Sequence, residues 1–379
     1  MSIEVVNDFI LALAKKIFWI ASFRGNMSFN GLTAYLLLAI ISIGVDNNAK
    51  DQLIEILKQN FDVLSNISLW HDSHIAELFL VLRDELLTEF TVYNLVFHGC
   101  KVRKNFKDMA KETLNIRFDR INSTKFKRAT SILNHRVQQY VENLHQDIFV
   151  GRWNFKQPLL VFVNVASFNK YWHVPVRKVN TRREVFFRSS IRKHTVFMMS
   201  MIGLFRFTTR EGFDVAFLNY DESEIVAAVI VPTDFTDVAE LFNRFKYHDL
   251  QTLYNESEPR RMLIKLPKFN MFINIGLRDT LMNMEIKEIF QNQTQNINRI
   301  SKDASFIDQI FQVSMISIDE EGTWSNPIVT QPPVFSEGPT INEEVSIVAN
   351  IPFIFILFHP GLKFICSMTV VKYPNVAPR

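Results

Sequence analysis

The 379-residue chain has 47% hydrophobic and 21% charged residues, so it is neither an acidic disordered protein nor a collagen-like repeat. Its net charge of +3 is too small to indicate nucleic-acid binding, and its 11 glycines argue against glycine-rich nucleotide-binding loops. Two cysteines cannot build a disulfide framework, and the sequence contains no CxxC, His–Cys cluster or HExxH motif. We therefore expect a packed globular chain without a metal or a cofactor.

The first 150 residues are predicted to be mostly helical. Apolar residues between Val5 and Phe18 follow helical spacing, and the acidic Glu4 and Asp8 stand where a secretory signal would need basic residues. Further helices are predicted at Leu32–Ile43, Asp51–Leu57, His74–Leu87, Asn105–Leu114 and Ile132–Asp147, with a strand at Thr91–Phe97.

Beyond residue 158, β-forming segments dominate. Leu159–Val165 is a continuous apolar run rich in β-branched residues, typical of a strand buried on both faces. Two helices, at residues 236–246 and 277–290, interrupt the strands. Because helices come first and strands later, without regular alternation, the sequence predicts an α+β fold. The other strands are predicted at Val185–Phe187, Leu204–Thr208, Val215–Leu218, Ile225–Ile230, Met262–Leu266, Phe311–Ile318, Pro352–Phe358 and Phe364–Val371.

A polar segment at residues 319–345 lies between two of the strongest strand candidates. It contains four prolines and no pattern of its own. A loop of this length inside a compact chain is usually functional, and exposed loops of small polar residues are where proteases cut. This segment is therefore the first place to look for function.

The order of motifs around this segment resembles the serpin family over nearly the whole chain. The resemblance rests on SIDEEGT (Ser317–Thr323), the long loop, IPFIFILF (Ile351–Phe358), FVNVASFNKYW (Phe162–Trp172) and LPKF (Leu266–Phe269). It implies a single serpin domain over residues 1–379, with about nine helices, three β-sheets and an exposed reactive-centre loop at about residues 320–345.

The resemblance implies a monomeric protease inhibitor rather than an enzyme. In serpins a serine protease attacks the loop and forms an acyl-enzyme. The loop then inserts as an extra central strand and distorts the protease before deacylation. On this reading the partner is a serine protease, and the chain itself needs no nucleophile.

The hinge of the loop decides between two functions. If Thr323 faces the core after insertion, Ser325 and Pro327 would face it too, and Pro327 would remove a hydrogen bond from a central strand. A suicide inhibitor is favoured, and a non-inhibitory serpin acting as a binding or chaperone-like module is the alternative. The resemblance assigns the hinge to Glu320, Glu321, Gly322, Thr323, Trp324, Ser325 and Pro327.

The reactive-site bond is predicted by counting forward from Glu320 along the family's usual hinge length. The count ends at Phe335–Ser336 or Ser336–Glu337. Phe335 before the bond would suit a protease with a deep apolar specificity pocket, which is chymotrypsin-like. The alternative is that Phe335 is an ordinary loop aromatic residue.

Opening of the central sheet is assigned by the resemblance to five residues, and the family pattern is changed at two places among them. Asn164 and Trp172 lie in the central-strand motif. The family's Ser-Pro-x-Ser appears here as Asn30-Gly31-Leu32-Thr33, and a histidine common in the family is replaced by Gln312. These departures affect groups that tie the central strands together, so the energy of sheet opening is expected to differ.

A basic cluster offers a second interaction site. Residues 101–128 contain ten Lys or Arg against three acidic residues, and Lys104, Lys107 and Lys111 share a helix face. With Lys101 they could attract a glycosaminoglycan or another polyanion, although a solvated helix face is the simpler interpretation. The segment Arg177–His194 carries the same ambiguity.

The family and the glycosylation sequons favour a secreted protein, with a cytoplasmic protein as the alternative because no signal peptide is recognisable. The longest apolar strand candidates are too short to span a membrane. Asn-x-Ser/Thr sequons begin at Asn26, Asn66, Asn122, Asn255 and Asn292.

Overall fold

A computed structural model of the protein describes residues 2–22, 25–121, 126–140, 147–150, 159–233, 237–291, 296–303, 305–324 and 345–374, with the side chains of 126–128, 247, 248 and 324 left out. The chain divides into two compact units. Unit 1 comprises Met1–Leu13, Asn30–Ala166 and Asn274–Ser314, and unit 2 comprises Ala14–Phe29, Ser167–Ile273 and Met315–Arg379. The sequence-based prediction of one domain over residues 1–379 is not tested by this division into units.

Helices dominate the first part of the chain, as the sequence predicts. Helix α2 is buried along its whole length, and the Asn30 side chain caps it by accepting a hydrogen bond from the Thr33 backbone N–H. Within the described residues the α-helices are α1 (Ile3–Ile20), α2 (Gly31–Ile43), α3 (Asn47–Leu57), α4 (His74–Glu89), α5 (Lys104–Leu114), α6 (Phe126–Tyr140), α7 (Val238–Arg244), α8 (Tyr247–Glu256) and α9 (Arg278–Met282).

The strands form two hydrogen-bonded sheets within the described residues. Apolar β-branched and aromatic runs produce the strands that are buried on both faces. The strands are β1 (Met27–Phe29), β2 (Phe90–His98), β3 (Arg117–Arg120), β4 (Leu159–Phe168), β5 (Lys170–Tyr171), β6 (Thr181–Phe187), β7 (Lys193–Arg210), β8 (Phe213–Asn219), β9 (Val226–Pro232), β10 (Glu258–Pro267), β11 (Phe269–Gly276), β12 (Phe306–Ile318), β13 (Gly322–Trp324), β14 (Ser346–Val348), β15 (Phe353–His359) and β16 (Phe364–Val371).

The first sheet has nine strands, all in unit 2. Its order is β1-β16-β15-β9-β8-β7-β10-β14, and β6 also pairs with β7. The resemblance implies three sheets, whereas the hydrogen bonding of the described residues joins the strands into two. The reason lies in β7, which pairs with β6 and β10 along most of its length and with β8 at its C-terminal end.

The second sheet has seven strands and contains the predicted hinge. Its order is β3-β2-β4-β12-β13-β5, and β11 pairs with β12. Strand β4 is buried at every position, as expected for the continuous apolar run that begins at Leu159. The short strand β13 therefore lies in the body of this sheet, next to the end of β12.

The α+β class is confirmed, and the departures from the predicted elements have local causes. The helix predicted at 277–290 is only the short α9 and a 3-10 turn at Glu288–Phe290, because the chain leaves helical geometry at Glu285, where φ is +65°. The strand predicted at Leu204–Thr208 is the end of the 18-residue β7, whose first half lacks regular polar–apolar alternation.

Candidate functional site

The predicted hinge already forms a short strand in unit 2. Strand β13 pairs antiparallel with β12, with Thr323 opposite Ile318, and antiparallel with β5, with Gly322 opposite Tyr171. The first residues of the loop thus occupy a position between two strands of the second sheet. The side chain of Thr323 is fully buried there.

The close approach of β5 and β13 explains why a glycine stands at position 322. A Cβ atom added to Gly322 would lie 2.0 Å from the carbonyl oxygen of Lys170 and 2.9 Å from the Cα of Tyr171. Both of these are backbone atoms, which cannot move aside without disrupting the pairing of the strands. The glycine is therefore required by space rather than by backbone conformation.

Asp319 shapes the turn between β12 and β13. Its carboxylate Oδ1 accepts hydrogen bonds from the backbone N–H of Glu321 (2.9 Å) and of Gly322 (3.3 Å), and its own N–H donates to the Gly322 carbonyl at 3.0 Å. A short aspartate side chain is well suited to satisfying the backbone of a tight turn. Asp319 lies in the motif Ser317–Thr323, but its role in the turn could not be predicted from the sequence.

Trp172 holds the same turn from the side of β5. Its backbone N–H donates to the Glu321 carbonyl at 2.9 Å, and its indole Nε1–H donates to the Asp319 carbonyl at 2.9 Å. The indole ring stacks on Tyr220, with ring centroids 4.6 Å apart. The sequence-predicted Trp172 and the predicted hinge are therefore in direct contact.

Tyr220, the second ring of this stacked pair, also contacts the predicted hinge. Its hydroxyl and that of Thr323 form a hydrogen bond of 2.6 Å. Burial raises the pKa of Tyr220, against the opposing effect of the bond with Thr323, so the phenol stays protonated and can donate. Sequence reasoning missed Tyr220, because nothing in the sequence around it indicates a partner so far along the chain.

Glu320 forms a largely buried ion pair. Its carboxylate lies 2.6 Å from the Lys268 ammonium, and its exposed side-chain fraction is only 7%. Burial acts to raise the pKa of Glu320, but hydrogen bonds from Lys268 and from the backbone, together with the charge of Lys268, lower it overall. Lys268 belongs to the LPKF motif, so a signal for this partner was present in the sequence.

The lowered pKa of Glu320 predicts a loss of stability in acid. Its contribution is present above the usual carboxyl value of 4.5 and is lost as the pH falls through the lower folded-state value. We expect Glu320→Gln to lower the thermal unfolding midpoint at neutral pH, with the difference from the parent chain shrinking toward pH 3. Differential scanning calorimetry at several pH values measures this, and a difference that does not change with pH would contradict the assignment.

A second polar cluster lies inside unit 1. The Thr33 hydroxyl donates to Asn164 Oδ1 at 2.7 Å, Asn164 Nδ2 donates to Asn94 Oδ1 at 2.8 Å, and Asn94 Nδ2 donates to the Leu114 carbonyl at 3.0 Å. Each of the three side chains is less than 10% exposed. The structure thus brings together the sequence-predicted Thr33 and Asn164, with Asn94 as the member that sequence reasoning missed.

Gln312 joins this cluster through one half of its amide. Its Nε2 donates to the Asn30 carbonyl at 3.0 Å and lies 3.4 Å from Thr33 Oγ1. Its Oε1 is buried and has no hydrogen-bond partner among the described residues. The glutamine thus keeps the contact with the start of α2 but leaves one buried acceptor unsatisfied, which costs stability.

Several predicted site residues lie outside the described part of the chain. The proposed scissile positions Phe335, Ser336 and Glu337 are among them, as are the hinge residues Ser325 and Pro327. For Trp324 only the backbone is described, as the last residue of β13. The roles of these residues stay predictions.

The predicted basic cluster lies at the beginning of and along α5 in unit 1. Lys101, Lys104 and Lys111 are exposed, whereas Lys107 is partly covered and its Nζ lies 5.5 Å from the centre of the Phe118 ring. Amphipathic spacing produces this arrangement, because Phe106 and Met109 of the same helix are buried. The cluster is therefore available to an anionic ligand, with Lys107 the most restricted member.

Within the described residues, no group of three or more His, Cys, Asp or Glu side chains could hold a metal ion. Over the same part of the chain, no helix combines the length and the apolar character needed to cross a membrane.

Comparison with known proteins identifies the family to which this fold belongs. The family described as Serpin (serine protease inhibitor) matches residues 4–374, so the chain belongs to the serpin family. Its relatives include human Serpin I2, 22% identical over 93% of this chain and 87% of that protein. Human antithrombin-III is 22% identical over 93% and 77% of the two chains, and plasminogen activator inhibitor 1 of Neovison vison is 22% identical over 98% and 92%. The family's description as serine protease inhibitors agrees with the prediction of an inhibitor rather than an enzyme.

Solved structures of other serpins have the same fold. A mouse protein-Z-dependent protease inhibitor superposes with a TM-score of 0.81 at 18% identity, covering 98% of both chains. Human thyroxine-binding globulin with thyroxine superposes with a TM-score of 0.82 at 15% identity, covering 98% of both chains. Native protease nexin-1 with heparin superposes with a TM-score of 0.77 at 18% identity, again covering 98% of both. At these identities the likeness establishes the fold alone.

Proposed function

We propose that this chain is a suicide inhibitor of a serine endopeptidase, whose loop inserts into the second sheet after cleavage. The observation that carries the proposal is the position of β13. Gly322 and Thr323 already pair with β5 on one side and with β12 on the other. Further insertion would extend a strand that has begun, so its register and direction are fixed before cleavage.

The inhibitory step depends on the protease for its chemistry. The protease serine attacks the carbonyl carbon of the scissile residue, the peptide bond breaks, and the new amino terminus leaves with a proton. The loop would stay joined to β13 at its hinge end, and its newly cut end would carry the acylated protease. Beyond the short β5, its insertion would separate β4 from β12 and draw the protease along. The inhibitor's own residues supply the path for the strand and no nucleophile.

A chymotrypsin-like target is the finer part of the proposal. It rests on Phe335 at the predicted scissile position, because a deep apolar pocket accepts an aromatic side chain. Pro327 opposes fast insertion, since it lacks an N–H and would leave one carbonyl of the neighbouring strand without a donor, at a cost of about 1–3 kcal/mol. Inhibition then depends on insertion still being faster than deacylation.

The first test mixes the full chain with chymotrypsin. An inhibitor is expected to yield an adduct that survives denaturing electrophoresis, at the summed mass of the two chains. Mass spectrometry of the released C-terminal peptide is expected to place the cut at Phe335–Ser336 or Ser336–Glu337. Complete cleavage near residue 335 without an adduct would contradict the inhibitory mechanism, and resistance to cleavage would contradict the chymotrypsin-like specificity.

A non-inhibitory binding module is the second candidate. Pro327 in the predicted hinge favours it. Human thyroxine-binding globulin, which has the same fold, was solved with its thyroxine ligand, so this fold can serve to bind a small molecule. A matched measurement separates the two candidates. Thermal unfolding before and after loop cleavage should show a large rise in midpoint if the cut loop inserts, and no rise if the chain is a binding module.

A polyanion is the proposed accessory partner of the basic cluster. The support is the exposure of Lys101, Lys104 and Lys111 and the existence of a nexin structure with heparin. Binding would depend strongly on salt, since surface charge attraction is screened within about 10 Å at 0.1 M salt. We further propose a secreted monomer, in keeping with the secreted character expected from the sequons.

A further inference from the structure

The glycosylation sequons of this chain differ in the exposure and the hydrogen bonding of their asparagine side chains. Five sequons occur in the sequence, and those at Asn26, Asn66 and Asn255 lie within the described residues. A folded chain can carry an N-linked glycan only where the asparagine amide nitrogen reaches solvent and is not needed in the interior. The hydrogen bonds of each asparagine therefore decide which sequon can be used.

Asn66 presents its amide in a form suited to modification. The residue is exposed and precedes the 3-10 turn Ile67–Asp72. Its Oδ1 accepts hydrogen bonds from the Ser68 backbone N–H at 3.2 Å and from the Ser68 hydroxyl at 2.8 Å. Both bonds use the amide oxygen and leave the nitrogen outside them. The asparagine and the serine of the sequon are thus already in contact.

The surroundings of Asn66 supply a second, independent observation. Ile67 is 53% exposed and Leu69 is 48% exposed, directly beside the asparagine. Large apolar side chains exposed in neighbouring positions favour association between molecules. A glycan on Asn66 would cover these two side chains and keep the surface soluble.

We propose that Asn66 is an N-glycosylation site of this protein. In the transfer, Asn66 Nδ2 would form a bond to the anomeric carbon of an oligosaccharide carried on a polyprenyl diphosphate. The bond from that carbon to the diphosphate oxygen breaks, the lipid diphosphate leaves, and Nδ2 loses one proton. The product remains an amide, so its Oδ1 can still accept both hydrogen bonds from Ser68.

Asn26 differs from Asn66 in that both ends of its side-chain amide are hydrogen-bonded within the fold. Its Oδ1 accepts from the backbone N–H groups of Lys372 and Tyr373, both at 2.8 Å, and its Nδ2 donates to the Tyr373 carbonyl at 2.7 Å. Ser28, the last residue of its sequon, is fully buried and bonded to Thr369 at 3.0 Å. A glycan on Nδ2 would separate Asn26 from Tyr373, so folded molecules carry an unmodified Asn26.

Asn255 lies between these two cases. Its side chain is exposed, and its Oδ1 accepts a hydrogen bond from Gln251 Nε2 at 3.0 Å. However, the hydroxyl of Ser257 is buried and donates to the Tyr254 carbonyl at 2.6 Å. The contrast between Asn66 and Asn26 is therefore the sharper one to test.

The test expresses the full chain behind a secretory signal in mammalian cells. The secreted, monomeric protein is treated with peptide N-glycosidase in heavy-oxygen water, which marks each formerly glycosylated asparagine as labelled aspartate. We expect label at Asn66 and none at Asn26. Asn66→Gln and Ser68→Ala should each remove the mass of one glycan, whereas Asn26→Gln should leave the mass of attached glycan unchanged.

Two results would overturn the inference. One is an unlabelled Asn66 in protein that has passed through the secretory pathway, and the other is label at Asn26 in the folded monomer. The comparison of Ser68→Ala with Asn66→Gln guards against a folding defect, since each removes the sequon through a different exposed side chain. The inference does not depend on protease inhibition, so the adduct test and this test can fail separately.

Discussion

Replacing Thr323 with arginine is expected to convert the chain from an inhibitor into a substrate of its target protease. Thr323 is fully buried between β5 and β12, and its hydroxyl is bonded to Tyr220 at 2.6 Å. The fully buried site of a threonine has no room for an arginine side chain, and burying its charge costs several kcal/mol. Insertion would then slow while deacylation kept its rate, so most of the chain would be cleaved without trapping the protease.

The expected result is a large drop in adduct yield for Thr323→Arg. It is measured as the number of inhibitor molecules consumed for each protease molecule inhibited, together with the adduct band on denaturing gels. Thr323→Ser is the matched control, because it retains a small side chain with a hydroxyl and should retain the adduct. If Thr323→Arg left the adduct yield unchanged, β13 could not be the start of the inserting strand.

The family could be predicted from the sequence because its motifs keep their order along the chain. The hinge assignment, which is local in the chain, stays a prediction. A glycine and a small hydroxyl residue follow two glutamates, and their spacing from the last strands is fixed by the fold. The structure adds the reason for Gly322, which is a backbone carbonyl only 2.0 Å from the position of a Cβ. No pattern in the sequence indicates that distance.

The partners of these residues could not be predicted, because each comes from a distant part of the chain. Tyr220 follows β8, and it meets Trp172 and Thr323 only once the strands are in place. Asn94 lies in β2, where an asparagine inside an apolar strand looks unfavourable until its two partners are known. In both cases a buried polar atom forms its hydrogen bond with a residue that only the tertiary structure brings near. Secondary-structure propensity and hydrophobic periodicity carry no information about such partners.

The departures from the family pattern also acquire a physical meaning in the structure. Asn30 caps α2 through its side chain, and its carbonyl receives the hydrogen bond from Gln312. Gln312, where the resemblance places a histidine, donates toward the start of α2 and carries an acceptor, Oε1, that has no partner among the described residues. Because glutamine does not titrate, this contact does not change its charge with pH.

Removing Asn164 is expected to destabilise the native state strongly. Asn164→Ala would leave Asn94 Oδ1 without its donor, would remove one of the two acceptors of the Thr33 hydroxyl and would create a small cavity among buried side chains. Each unsatisfied buried group costs about 1–3 kcal/mol, so the total is expected at about 2–4 kcal/mol because Thr33 can turn toward the Asn30 carbonyl at 3.0 Å. Thermal unfolding midpoints at one fixed scan rate measure the loss, because a fixed rate keeps the comparison valid even when unfolding is irreversible.

A double-mutant cycle separates the hydrogen bond from the cavity. Thr33→Val removes the hydroxyl while keeping the shape of the side chain, and Thr33→Ser retains the hydroxyl as its control. If Thr33 and Asn164 act together, Asn164→Ala should cost less in the Thr33→Val background than in the parent chain, with a coupling of about 1 kcal/mol. Strictly additive effects would mean that Asn164 stabilises the strand by packing alone. In that case the hydrogen bonds of the polar cluster would not hold the central strands together. The loop could then enter the sheet without having to break those hydrogen bonds.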